Sequence, residues 1–169
     1  MATTFKDAPE VKMLVDKLVY NCSEFKCLRH AQILTRFRYG TWNSRGKIKL
    51  GMAKVLTPFE RFETDAECAV IVNGDIWGNL NVKQREALVY HELCHFEEMT
   101  DAMGNPKEDE NKRPMYKTVG HDVEEFSAVV RKYGLWMADV RKFGQVVKEV
   151  EQLSMFEEGK VHKLEVTGS

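Results

Sequence analysis

At 169 residues and 43 % hydrophobic, the chain is long enough to bury one core without disulfide staples, and its formal net charge of -1 argues against a protein that coats nucleic acid. No run approaches the ~18 apolar residues of a membrane span, and Met1-Ala2-Thr3-Thr4-Phe5-Lys6-Asp7 lacks the apolar centre of a signal peptide, so a cytoplasmic protein is expected. The four cysteines are scattered, and Cys22-x4-Cys27 has no second pair, which speaks against a disulfide framework or a four-cysteine metal site.

In chain order, Ala8 to Tyr20 places Val11, Leu14, Val15, Leu18 and Val19 at helical spacing after Pro9, which predicts an amphipathic helix covering one side of a sheet. Ile33 to Tyr39 alternates, with Arg36 and Arg38 on one face and Phe37 and Tyr39 on the other. Lys47 to Val55 and Ala69 to Val72 also read as strands, and Gly40 to Gly46 is a turn signal. Leu56 to Ala66 is mixed, with room for a short helix. Asn81 as N-cap, Gln84 three residues on, and Val82, Leu88, His91, Glu92, His95 and Met99 on one broad face predict a helix from Val82 to Asp101. Gly104 to Pro114 is polar and without apolar pattern, equally a cleft border or a plain surface connection. His121 to Lys132 predicts a helix ended near Gly134. Trp136, Val140, Phe143, Val147, Val150 and Ser154 predict another from Leu135 to Leu153, its stripe packed on its own domain. Nothing after Phe156 suggests a folded element. The expectation is one α+β domain over 1–169, core about 8–155, with a small, mostly antiparallel sheet and a flexible tail at 156–169.

The chemistry is concentrated in His91-Glu92-Leu93-Cys94-His95. Residues i and i+4 stand one above the other on a helix, so both imidazoles can reach one ion, with Glu92 beside it. In zinc hydrolases such a glutamate is a general base, while Zn2+ lowers the pKa of a coordinated water from 15.7 to about 7. A catalytic zinc site usually needs a third protein ligand. His121, in Gly120-His121-Asp122-Val123-Glu124-Glu125-Phe126, is the leading candidate. Asp122, Glu124 or Glu125 remain alternatives, and Glu125 would make the set His2Glu. Cys94 points about 100 degrees from each neighbour along the helix and reads as packing rather than ligation. His30 and His162 read as ordinary surface histidines. Tyr116 and Tyr133 flank the third-ligand segment as weak candidates for a hydrogen-bond donor to the reacting carbonyl.

These segments resemble the phage metallopeptidase family. The likeness rests on Cys68-Ala69-Val70-Ile71-Val72-Asn73-Gly74-Asp75-Ile76-Trp77, on Gln84 to Tyr90 running into His91-Glu92-Leu93-Cys94-His95, and on Gly120 to Phe126, and it covers roughly residues 8 to 136. The resemblance implies a minimal zincin-like fold and a zinc-dependent peptidase, with His91, His95 and His121 as metal ligands and Glu92 as base. The resemblance does not name the substrate; a protein or peptide is expected, met in the host-cell cytoplasm if the chain is phage-encoded. The Glu-Glu-Phe segment also looks like the third-ligand helix of peptidases that cleave phage repressors, which keeps His2Glu and a single dedicated substrate open.

Between Phe25 and Phe59 there are eight Lys or Arg and no Asp or Glu, with Phe37, Tyr39 and Trp42 interleaved. This 26–54 segment is a candidate DNA-contact surface and is similar in that respect to SprT-like proteases; the plainer expectation is a solvated hairpin face whose aromatics pack inward. Three functions therefore compete: a zinc peptidase, a zinc-containing nucleic-acid-associated or protein-binding module with little turnover, and a regulator that cleaves one protein.

Overall fold

The computed structural model describes residues 2–123, 127–136 and 138–166, which group into two compact units, 1–120 and 121–169. In the first unit β1 (Thr4–Asp7), an unpredicted strand, leads into α1 (Pro9–Asn21), followed by a 3-10 turn over Ser23–Leu28 and β2 (Ile33–Tyr39). The predicted Lys47 to Val55 strand is two pieces: a tight hairpin of β3 (Asn43–Ser44) and β4 (Lys47–Ile48), then β5 (Gly51–Val55). Arg45 and Gly46 at the hairpin tip both have positive φ, 50° and 76°, the combination a two-residue mirror-image turn requires. After them come α2 (Pro58–Thr64), β6 (Cys68–Asn73), α3 (Gly74–Trp77), α4 (Val82–Cys94), β7 (Phe96–Glu98) and β8 (Tyr116–Thr118). The short helix allowed between Leu56 and Ala66 is α2, fixed by a capping box between Thr57 and Glu60.

Four strands form the main sheet in the order β1-β2-β6-β5, with β5 at one edge. Two pairings are antiparallel, β1 with β2 and β5 with β6, and β2 with β6 is parallel, so the fold is α+β with a mostly antiparallel sheet. One core joins Val11, Val15 and Leu18 of α1, Phe37 of β2, Val70 and Val72 of β6, and Val89 and Leu93 of α4. Each such side chain contributes about 1.5–3 kcal/mol on burial. Trp77 packs with its ring centroid 5.7 Å from Phe37 and donates Nε1–H to Glu10 at 2.7 Å, tying α3 to α1.

The metal-motif helix ends at Cys94, seven residues before the expected Asp101. Asn81 and Gln84 do form the expected capping box at its start. At its far end helical spacing yields to strand pairing: the Val119 N–H donates to the His95 carbonyl at 2.8 Å, and Phe96 buries itself at the head of a ladder between β7 and β8. Met99 therefore belongs to a hairpin arm and not to the helical face.

The polar connection between those strands is ordered by two copies of one turn. Asp101 Oδ1 accepts from the N–H groups of Met103 and Asn105, and Asp109 Oδ1 from those of Asn111 and Arg113. In both copies the fourth residue is left-handed, Gly104 at φ 83° and Lys112 at φ 58°, and the sixth is proline, Pro106 or Pro114. Met99, Lys107 and Met115, spaced evenly through the repeat, close a ring of three backbone bonds: Met99 N–H to Met115 O, Met115 N–H to Lys107 O, and Lys107 N–H to Met99 O, at 2.8 to 3.0 Å. Arg113 then fixes the second turn to the sheet unit, donating Nε–H to the buried Glu67 and Nη1–H to Asp65, both at 2.7 Å.

In the second unit α5 (Ser127–Tyr133) is closed by Gly134 at φ 69°, whose N–H returns to Val130 O. A helix is predicted from His121; its 124–126 part lies outside the described residues, and Ser127–Tyr133 is helical as expected. A long helix, α6 (Ala138–Val166), continues ten residues past Phe156, where the sequence pattern predicts no element. Of its predicted packed stripe, Val140 is buried whereas Phe143, Val147 and Val150 are exposed. Among the described residues no helix is long and apolar enough to cross a membrane.

Candidate metal centre

α4 carries three chemical groups on two of its sides. Val89 and Leu93 point into the core with Glu92, which is 5 % exposed, while His91 is exposed and His95 half-buried. The two imidazoles meet edge to face with centroids 5.1 Å apart, as the one-turn spacing predicts. His121 completes the group: one ligand atom from each of His91, His95 and His121 lies within 4.8 Å of the others.

His121 stands two residues beyond Val119, and Val119 is bonded twice to His95. Its N–H donates to the His95 carbonyl, and its own carbonyl oxygen lies 2.7 Å from His95 Nδ1. With Nδ1–H donating to that carbonyl, His95 presents Nε2 as the lone-pair nitrogen, the arrangement metal-binding histidines favour. A three-imidazole set at this spacing suits zinc or another borderline transition metal. The residues fit the ion that the motif implies. Asp122 is exposed and outside this group, and Glu124 and Glu125 lie outside the described residues.

Glu92 rests against the edge of the sheet. A Cβ added to Gly51 would stand 2.6 Å from Glu92 Oε1, so only glycine lets the strand and the carboxyl approach this closely. The Ala53 N–H hydrogen-bonds to the same side chain. Burial holds the Glu92 carboxyl above the usual carboxylate range; the charges of His95 and Lys49 and the Ala53 bond pull the other way without overcoming it.

α4 is braced on the far side. Tyr90 donates its hydroxyl to Glu24 and packs edge to face on Phe25 at 4.8 Å, and that hydrogen bond pushes the phenol up to about 12. Lys17 of α1 pairs with Glu86 at 2.9 Å.

Several sequence expectations resolve differently. Tyr116 is buried and its hydroxyl donates to Cys27 O at 2.7 Å, so it is engaged away from the three histidines. Tyr133 is an exposed residue of α5. Cys94 is exposed and does not pack in the core. His30 is exposed as expected, and the His162 side chain lies outside the described residues. The basic 26–54 segment divides: Arg36 pairs with Asp7 and Lys54 with Glu60, while Phe37 packs inward as the plainer expectation required. Gly51 and Val119 were missed. A glycine opening a strand is a weak signal of close approach, whereas a carbonyl that orients a histidine leaves no mark in residue type.

No curated protein and no solved structure matches the chain significantly. The profile of the family described as "Putative phage metallopeptidase" matches residues 3–151, which takes in every strand of the main sheet and His91, His95 and His121. The chain belongs to that metallopeptidase family.

Proposed function

We propose that the chain is a zinc-dependent peptidase in which His91, His95 and His121 hold the metal and Glu92 is the general base, acting on a protein substrate in a phage or prophage setting. The observation that carries this reading is the clustering of the His91, His95 and His121 imidazoles beside the helix that also carries the buried Glu92 carboxyl. Zinc in such a site would supply Lewis acidity, acidifying a water and polarising the carbonyl to be attacked.

The chain's own residues account for the rest. Burial raises the basicity of Glu92, so that its carboxylate can take a proton from the attacking water and return it to the leaving amine. Gly51 and Ala53 fix where that carboxylate sits. The Val119 carbonyl fixes the tautomer of His95.

Elemental mass spectrometry of the purified protein tests the ligand set. About one zinc per chain is expected in the parent, with loss in His91→Ala and in His121→Ala. Unchanged metal in His121→Ala would transfer the third position to a carboxylate. Glu92→Gln should keep its metal and lose roughly 10²- to 10⁴-fold in cleavage of a mixed peptide library read by mass spectrometry. Equal cleavage by Glu92→Gln and parent would remove Glu92 as base.

A further inference from the structure

The hairpin of β3 and β4 does not stand apart from the metal centre. The Lys49 N–H donates to the Trp42 carbonyl at 2.8 Å, and Asn73, at the end of β6, bonds the carbonyls of Lys49 and Leu50 through its side-chain and backbone N–H groups at 2.9 and 2.8 Å. Gly51, the next residue, is the one that touches Glu92. The positive charge of Lys49 is felt at Glu92.

Some of the cations around this hairpin have no carboxylate partner among the described residues, namely Arg38, Lys47 and Lys49. Elsewhere in the basic segment Arg36 and Lys54 are matched by Asp7 and Glu60, and Arg29 donates to the carbonyls of Val19 and Tyr20. Arg38 donates to the carbonyls of Gly40 and Thr41 and to Thr3 Oγ1 while keeping its charge unpaired by a carboxylate among the described residues. Arg38 and Lys49 both lie over the Trp42 ring, at 4.7 and 5.5 Å from its centroid. The ring therefore orders both cations, and of the two Lys49 acts on Glu92. A base-stacking platform needs an open aromatic face, and here the indole is already engaged by cations. That favours carboxylates over nucleobases as the group received.

We propose that the Trp42 hairpin is a specificity element that receives acidic side chains, so that the substrate is a peptide carrying Asp or Glu within a few residues of the bond presented to His91, His95 and His121. This rests on the peptidase reading for its substrate class, but not for the chemistry the hairpin recognises. Several partly exposed ion pairs together amount to roughly a tenfold preference at low salt.

The test is binding to the full-length, zinc-loaded Glu92→Gln protein by fluorescence anisotropy, at low and at physiological salt. The probes are an end-blocked acidic peptide, the same peptide with Gln and Asn replacing Glu and Asp, and a single-stranded oligothymidylate of equal length. The acidic peptide should bind about tenfold tighter than its amide isomer, with the margin shrinking as salt rises. Joint replacement Arg38→Ala, Lys47→Ala and Lys49→Ala should abolish the margin while leaving zinc content in place. Lys49→Glu should turn the preference toward a lysine-rich peptide, which guards against a merely misfolded triple variant. Equal binding of the two peptides, or no binding of either, overturns the proposal. Tighter binding of the oligothymidylate than of the acidic peptide overturns it in favour of a nucleic-acid surface. If the acidic preference holds while the Glu-containing parent leaves the bound peptide uncut, the hairpin's role stands and the peptidase reading falls.

Discussion

Gly51 and Glu92 show how much of the site depends on one missing methyl group. Gly51→Ala would place Cβ 2.6 Å from Glu92 Oε1, a distance that forces the strand or the carboxyl to move. We expect that variant to bind metal normally, since no imidazole is touched, and to lose about 1–3 kcal/mol of stability together with most of its hydrolysis. Urea unfolding beside metal content checks this; full activity with an unchanged midpoint would mean that the carboxyl is not held by the strand. Glu92 itself gives a pH prediction. In metal-stripped protein the folded chain keeps the Glu92 proton to higher pH than the unfolded chain does, because burial raises the carboxyl above its ordinary 4.5. Stability therefore falls as pH rises from that ordinary value through the raised one, and Glu92→Gln should remove the fall. Thermal midpoints in chelator should differ little between parent and variant near pH ~4 and diverge above it; parallel curves up to neutral pH would contradict the burial argument. At this scale the sequence told most where spacing alone decides geometry, as with His91 and His95. It told least where a backbone atom is the partner, as with Val119 or the Ala53 N–H.

The elements divide along the same line. α1, β2, β6 and the start of α4 were legible because apolar period, Pro9 and the Asn81–Gln84 box each report on a single segment. Asn81→Ala should cost about 1 kcal/mol, measured by urea unfolding, as loss of a helix cap does. The end of α4 was not legible. Nothing local in Phe96-Glu97-Glu98 forbids helix, and the decision is made by β8, some twenty residues away. For the same reason the twin Asp turns were missed: they have no apolar pattern, only Asp-x-x-x-x-Pro repeated with a left-handed fourth residue. The first copy has glycine there and the second has Lys112. Lys112→Gly should accordingly stabilise by up to about 1 kcal/mol by relieving the left-handed strain, partly offset by greater freedom in the unfolded chain. Asp109→Ala should do the reverse, losing two backbone bonds and the 2.9 Å Arg61 contact. A destabilised Lys112→Gly would mean that the lysine side chain carries weight in the turn that its backbone angle does not reveal.

For the molecule as a whole, the first unit contains its own core, its own sheet and two of the three histidines, and His121 follows at once. A chain cut after Val123 should still unfold in one cooperative transition and still bind about one zinc, measured by calorimetry and elemental mass spectrometry. Because that cut retains His121 and discards Glu125, loss of metal with the fold intact would favour the His2Glu alternative. The ring of backbone bonds among Met99, Lys107 and Met115 has a consequence for this balance. An ion bridging His95 and His121 closes a loop of 26 residues, which in a flexible chain would cost about 3 kcal/mol in conformational entropy. Here the protein's own backbone bonds, those of the ring and those between Val119 and His95, span most of that loop, so we expect little of this cost to fall on the ion. Removing and restoring metal should leave amide hydrogen exchange between residues 96 and 118 nearly unchanged, and association should follow encounter without a slow folding phase.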